Sequence, residues 1–145
     1  MIRRAGPRDA AALAPLFDAY RKFYEQRSNL RGAKRFLSRR LVRKESVVFI
    51  ARQGGRALGF TQLYPTFSSV SMKRLWILND LYVVPEVRRR GVAEALIARA
   101  RRLAKDTRAE GLFLETAVTN KKARRLYEKL GWEREKAFYR YNLDL

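Results

Sequence analysis

Four consecutive residues, Arg88-Arg89-Arg90-Gly91, offer the clearest chemistry in the chain. Before them lies a long apolar run, residues 75–84, broken by Pro85; after them an amphipathic run covers residues 91–104. A strand, a basic turn containing glycine and then a helix form an arrangement that binds phosphate. The first helical turn has backbone N–H groups with no intrahelical acceptor and a partial positive charge, so anions settle there. Glycine lets an anion approach the backbone without meeting a Cβ. The loop reads equally well as an ordinary helix start, because arginine is abundant along the whole chain. Taken alone, it leaves both readings open.

Other catalytic options are few. The sequence has no cysteine and no histidine. Thiolate nucleophiles, disulfides and thiolate metal sites are therefore excluded, and the commonest general base and metal ligand is missing. The formal net charge is +19, from 33 basic and 14 acidic residues. Such an excess concentrates anions around the protein, nucleic acid included. The basic residues are spread along the chain, however, and no zinc-finger, KH-type or aromatic-rich RNP pattern occurs. An anionic small ligand is favoured over nucleic acid. The 145 residues, 47% of them hydrophobic, fit a single domain spanning 1–145. No apolar run approaches the ~20 residues that span a bilayer, and the first residues lack a signal-peptide pattern. The expectation is a cytoplasmic, metal-free protein that does not engage a membrane.

The elements that must position the loop follow from periodicity. Ile2-Arg3-Arg4-Ala5 reads as a first edge strand, ended by Gly6-Pro7. Leu13, Leu16, Phe17, Tyr20 and Tyr24 recur at helical steps, and Ser28-Asn29 offers an N-cap for a second helix carrying Ala33, Phe36, Leu37 and Leu41. SVVFIARQ and RALGFTQLYPTF read as a hairpin about Gly54-Gly55, with a polar turn over residues 65–71 before the long strand. LFLETAV, after Gly111, predicts a buried strand joined to the long strand by a parallel crossover. Asn120 opens a short helix closed by Gly131, and the tail from Trp132 predicts one or two closing strands. The order β-α-α-β-β-β-α-β-α-β(-β) describes an α/β mixed sheet with helices on both faces.

With these elements in place, the chain resembles the GNAT superfamily of N-acetyltransferases over nearly its whole length. Three features carry the resemblance. Arg88-x-x-Gly91-x-Ala93 is similar to the family's R-x-x-G-x-G/A loop. Asn120-x-x-Ala123 with Leu126-Tyr127 and Leu130-Gly131-Trp132 resembles its N-x-x-A-x-x-x-Y-x-x-x-G-F segment, with Trp132 in place of the usual Phe. The third feature is the order of elements. The wording DLYVVPE and AYRKFYEQ is most similar to the histone/polyamine-type branch.

The resemblance implies an acyl-CoA acyltransferase fold, acetyl-CoA as co-substrate, no metal, and an amine acceptor attacked directly in a ternary complex. It implies that the backbone of Leu81, Tyr82 and Val83 pairs with the pantetheine arm. Arg88 would stand at the loop entrance, and the N–H groups of Arg89, Arg90, Gly91, Val92, Ala93 and Glu94 would cradle the pyrophosphate. Asn120 would bond the pantetheine or its frame, and Tyr127 would act as general acid toward the leaving thiolate. A tyrosine hydroxyl, with a reference pKa of about 10, suits that task at neutral pH. The family's related polyamine enzymes carry Glu where this chain has Asn79, which cannot accept a proton. The adjacent Asp80 is then the nearest candidate base, with a structural role near a bulge equally open. Glu115 is a further carboxylate whose direction the pattern leaves undecided.

Tyr20, Tyr24, Tyr64, Phe67, Trp76 and Tyr139 are candidate walls of an acceptor pocket. The strong positive charge argues against a polyamine acceptor. A homodimer through the C-terminal strands is expected from the resemblance. The alternative function is a non-catalytic CoA-binding or basic RNA/ribosome-docking module on the same fold.

Overall fold

Hydrophobic spacing of three and four residues commits two early segments to helices, and both form. The computed structural model describes residues 1–145, which divide into two units, Met1–Leu114 and Glu115–Leu145. In the first unit a short strand β1 (Ile2–Arg4) leads through a 3-10 turn into α1 (Ala10–Phe23) and then α2 (Leu30–Val42). Asn29 caps α2, its side chain accepting the Gly32 N–H at 2.9 Å. Asp18, on α1, holds the preceding turn by accepting from Ser28 Oγ at 2.6 Å and from the Asn29 N–H at 2.7 Å.

The hairpin of β2 (Val47–Gln53) and β3 (Arg56–Ser68) follows, then β4 (Lys73–Val83), α3 (Val92–Asp106) and β5 (Gly111–Phe113). Gly54 and Gly55 both take positive φ, 54° and 78°, as the tight two-residue turn requires. The strands form one five-stranded sheet in the order β1-β2-β3-β4-β5. Neighbours are antiparallel except β4 and β5, which run parallel. Alternate residues of β2 face opposite sides. Val48 and Ile50 join Leu13, Phe17, Leu37, Leu41 and Phe60 in the core beneath α1 and α2. On the other face α3 buries Leu96, Ile97, Ala100 and Ala104, and Arg99 lies over the Phe49 ring at 5.2 Å. Each fully buried Leu or Phe contributes roughly 1.5–3 kcal/mol.

Three expectations need correction. Pro65 lies inside β3, not in a turn, and pairs opposite Trp76. It is tolerated because β2 stops pairing with β3 at Leu63, so the side of β3 on which a proline lacks its N–H has no neighbour. The strand expected over residues 111–118 is only three residues long. Its ladder with β4 ends at Ile77↔Phe113, and Asn79 bulges out of β4 two residues later, which turns β4 aside. The closing strands expected in the tail do not form. A strand needs a ladder partner, and this segment pairs with no strand of the sheet; Ala137 N–H bonds Glu135 and Arg140 bonds Asn142 within it.

The second unit contains α4 (Lys121–Lys129) and the tail. Gly131 closes α4 in the left-handed conformation, φ 90°, with Trp132 N–H returning to the Tyr127 carbonyl at 3.0 Å. Tyr139, Tyr141, Leu143 and Leu145 are all more than 85% exposed. No helix is long and apolar enough to cross a membrane.

Candidate active site

The bulge creates the first half of the site. Gln62 pairs opposite Asp80 and Leu63 opposite Leu78, leaving Asn79 as the extra residue of β4. Its carbonyl, displaced from the ladder, accepts the Tyr20 hydroxyl of α1 at 3.3 Å. Beside it Asp80 turns inward and is 5% exposed. Gln62 Nε2 donates to Asp80 Oδ2 at 2.8 Å and Asn79 Nδ2 donates to Oδ1 at 3.1 Å. Ser46 Oγ in turn donates to Gln62 Oε1 at 2.8 Å, and Thr61 Oγ1 donates to the Asp80 carbonyl at 2.8 Å.

Burial pushes the Asp80 carboxyl above the usual carboxylate range, opposed by the donors Gln62 and Asn79 and by the nearby Tyr20 hydroxyl. Burial and then the nearby Asp80 raise both neighbouring phenols, Tyr20 strongly and Tyr64 to about 12. A carboxylate whose affinity for protons is raised this way is better matched to accepting one near neutral pH.

The second half lies further along β4. Beyond Ile77 no strand flanks the side of β4 that faces away from β3. Leu81, Tyr82 and Val83 lie on this open stretch. Gly59 pairs opposite Val83, and a Cβ there would sit 2.7 Å from the Tyr82 carbonyl oxygen, so only glycine allows this approach of β3 to β4. A 3-10 turn (Pro85–Val87) leads into the basic loop. Arg88 folds back on the strand, its Nε donating to the Val83 carbonyl at 2.9 Å and its guanidinium lying 5.6 Å from the Tyr82 ring centroid. Arg89 and Gly91 take positive φ, 63° and 79°. The first intrahelical bond of α3 runs from Ala95 N–H to the Gly91 carbonyl at 3.0 Å. The helix itself therefore supplies no acceptor for the N–H groups of Val92 and Ala93. Arg90 is exposed on this loop, and Glu94 occupies the first turn of α3.

The second unit carries the remaining two residues singled out from the sequence. Asn120 is the N-cap of α4, its Oδ1 accepting the Ala123 N–H at 3.2 Å. Tyr127 is half-buried on the same helix, with Trp132 packed 5.8 Å from its ring centroid. Glu115 pairs with Arg140.

The structure thus gathers Asp80, Leu81, Tyr82 and Val83 on one strand, with the loop and helix start that follow it. Of the candidate walls, Tyr20 and Tyr64 stand near Asp80, and Tyr24 makes an edge contact with Tyr20 at 5.0 Å. Trp76 does not join them: it is buried, and its indole N–H bonds Thr107 at the end of α3. Sequence reasoning missed Ser46, Gln62 and Gly59. The available signal was a Thr61-Gln62 pair in the middle of an apolar strand, where both residues are fully buried.

A mixed sheet whose fourth strand opens at a bulge and runs into a basic loop and helix start defines an acetyltransferase of the GNAT type. Residues 13–132 match the model of the acetyltransferase (GNAT) family, and the chain belongs to that family. It is 52% identical over 144 residues to the uncharacterized N-acetyltransferase YhfO of Bacillus subtilis (strain 168), covering 99% of this chain and 97% of that protein. It is 36% identical over 106 residues to a probable acetyltransferase of Haemophilus influenzae (strain ATCC 51907 / DSM 11121 / KW20 / Rd), covering 72% and 73% of the two chains. Among solved structures, the crystal structure of a probable acetyltransferase superposes with a TM-score of 0.95 at 43% identity, covering 100% of this chain and 97% of that one.

Proposed function

We propose that this protein transfers the acetyl group of acetyl-CoA to a primary amine by direct attack, as a single cytoplasmic domain spanning residues 1–145. The observation that carries the reading is the open edge of β4 beyond Ile77, continuous with the loop at residues 88–94. An extended pantetheine arm fits such an edge as an added strand, through the backbone of Leu81, Tyr82 and Val83. Val84 N–H bonds the Leu58 carbonyl, so by alternation Tyr82 turns its backbone groups toward β3 and Leu81 and Val83 turn theirs to the open edge. Because Arg88 occupies the Val83 carbonyl, the arm has the backbone of Leu81 and the Val83 N–H as its main partners. The pyrophosphate suits the turn formed by Arg89, Arg90, Gly91, Val92, Ala93 and Glu94. Asn120, already a helix cap through its oxygen, keeps its amide nitrogen for the arm.

In this reading Asp80 takes the proton of the attacking amine, directly or through one water. A carbon–nitrogen bond forms, the carbon–sulfur bond breaks, and Tyr127 gives its proton to the departing sulfur. Backbone N–H groups of the splayed strand polarise the carbonyl. The likeness to the histone/polyamine-type branch concerns the wording of β4 and α1. The +19 charge argues against a polyamine as the acceptor. The exposed alternating apolar residues of the tail favour a homodimer in which they are covered.

A second reading, a CoA-binding or RNA-docking module, draws on the same charge and on Asn79 standing where related enzymes hold a carboxylate. Calorimetric titration with acetyl-CoA at two salt concentrations, with polyU RNA as comparator, separates the two. Micromolar acetyl-CoA binding followed by thiol release with an amine supports transfer. Tight, salt-sensitive RNA binding without acetyl-CoA binding supports the second reading.

A further inference from the structure

The charges around Asp80 bear on which amine the site takes, an inference that rests on the acetyl-transfer reading above. Three aspartates of the first unit are buried: Asp9, Asp18 and Asp80. Asp9 pairs with Arg3 at 2.6 Å and has Arg52 at 3.9 Å. Asp18 has Arg21 at 3.9 Å. Asp80 differs: its hydrogen-bond donors, Gln62 and Asn79, are neutral amides, and the neighbouring Tyr20 is a neutral phenol. Neutral donors satisfy lone pairs but leave a buried negative charge uncompensated. An ammonium group arriving from solution supplies what the fold withholds.

Arg40 is the complementary case. It lies near the end of α2 with its guanidinium 4.6 Å from the Phe36 ring centroid. Its side chain is 23% exposed, and its Nε, shielded from solvent, has Glu45 Oε1 in ion-pair range but makes no hydrogen bond. The carboxylate near it, Glu45 at 3.4 Å, is itself 46% exposed. Glu45 immediately precedes Ser46, which bonds Gln62, which bonds Asp80. Arg40 and Asp80 are thus linked through Glu45, Ser46 and Gln62, and the Tyr64 hydroxyl feels both charges.

We propose that the acceptor is a primary amine carrying its own anionic group, a carboxylate in the simplest case, with its ammonium at Asp80 and its anion at Arg40. The guanidinium fork suits a carboxylate through paired N–H donors. The incoming carboxylate replaces the exposed Glu45 at the shielded Nε and gives it a hydrogen bond, Glu45 is displaced toward water, and the buried Asp80 gains its cation. The overall positive field draws such a substrate inward by its anion and repels a polycation.

The test is a thiol-release assay with acetyl-CoA and matched acceptor pairs: amino acids and the carboxamides of the same amino acids, with aminoalkylphosphonates as a further anionic arm. The acid member of a pair should exceed its carboxamide in kcat/KM by roughly 10- to 100-fold, the range of one charge-assisted contact. Arg40→Met should bring that ratio toward one, and Glu45→Gln, which releases Arg40 from its competitor, should raise it. The second variant removes only an exposed carboxylate, so its outcome does not depend on Arg40→Met folding. Equal rates for acids and carboxamides in the wild type would overturn the proposal, as would an undiminished preference in folded Arg40→Met. Transfer to no anionic amine overturns it as well. A calorimetric acetyl-CoA titration on the same wild-type sample separates the two levels. Binding of acetyl-CoA with no preference for the acid sinks the acceptor class alone, and absence of binding sinks the transfer reading beneath it.

Discussion

Ser46 donates its hydroxyl to Gln62 Oε1 at 2.8 Å, and that bond decides which end of the Gln62 amide meets Asp80. With the oxygen engaged by Ser46, the nitrogen is left to face the carboxylate. Gln62 is therefore a positioning residue: it acts on chemistry through Asp80. Its donated bond lowers the affinity of Asp80 for a proton, against burial, which raises it. Gln62→Leu should move the acidic limb of the kcat/KM profile to higher pH, because Asp80 must be ionised to accept a proton and now loses its charge earlier on acidification. The same change should cost about 1–3 kcal/mol of stability, since Asp80 loses a buried donor. Ser46→Ala should shift the limb in the same direction by less. An unmoved limb in folded Gln62→Leu would argue against Asp80 as the proton acceptor.

Tyr127→Phe removes one hydroxyl from a helix whose cap and ring packing stay intact. Loss of a general acid typically lowers turnover by about 100-fold or more. The acetyl-CoA dissociation constant, measured by calorimetry, should change far less than kcat. Wild-type turnover in this variant would remove Tyr127 from the reaction.

Gly59→Ala probes the approach of two strands rather than a reacting group. The new Cβ would press on a backbone oxygen of β4, Tyr82 O, and on Val83 Cγ2 at 3.2 Å. Strand β4 must shift where the pantetheine arm is proposed to lie. Overpacking of this kind costs about 1–3 kcal/mol. Thermal unfolding should show the loss, and acetyl-CoA titration should show weaker binding along with it.

Asp18 supplies a pH test of stability. Its hydrogen bonds to Ser28 and to the Asn29 N–H hold its carboxyl below the usual range. A depressed folded-state value means the stabilisation is fully present above the unfolded value, about 3.9, and disappears as pH falls through the depressed one. Asp18→Asn should lower the melting temperature at pH 7 by about 4 °C. The gap between variant and wild type should close as the pH is taken below the unfolded value. A gap independent of pH would show that packing, not charge, sets the contribution.

Removal of residues 137–145 tests the proposed assembly. The full chain should sediment as a dimer and the truncated chain as a monomer. A monomeric full-length protein would leave Tyr139, Tyr141 and Leu143 without the expected cover.

The helices were legible because burial imposes a repeat that the sequence must carry: Leu13, Leu16 and Phe17 announce α1, and Asn29 announces the start of α2. The hairpin was legible from Gly54-Gly55 for the same kind of reason, since few residues accept its backbone. The loop and Asp80 were legible too, with resemblance adding roles that residue types alone leave open. The partners of Asp80 were hidden. Ser46, Gln62 and Asp80 meet through sheet register, which a bulge at Asn79 resets, and no local pattern encodes a bulge. Pro65 misled in the opposite sense, because a proline reads as a break until one knows that the edge it faces is empty. The tail misled because alternation shows only that a segment can be a strand. Whether it becomes one depends on a partner that the alternation does not name.

The open stretch of β4 has a consequence for the life of the protein outside the reaction. A bare strand edge invites another chain to add to it, which is how folded proteins begin to clump. Any extended ligand seated there also acts as a plug. Scarcity of that ligand should therefore make the protein stickier as well as idle, and preparations stripped of it should lose solubility before they lose their fold.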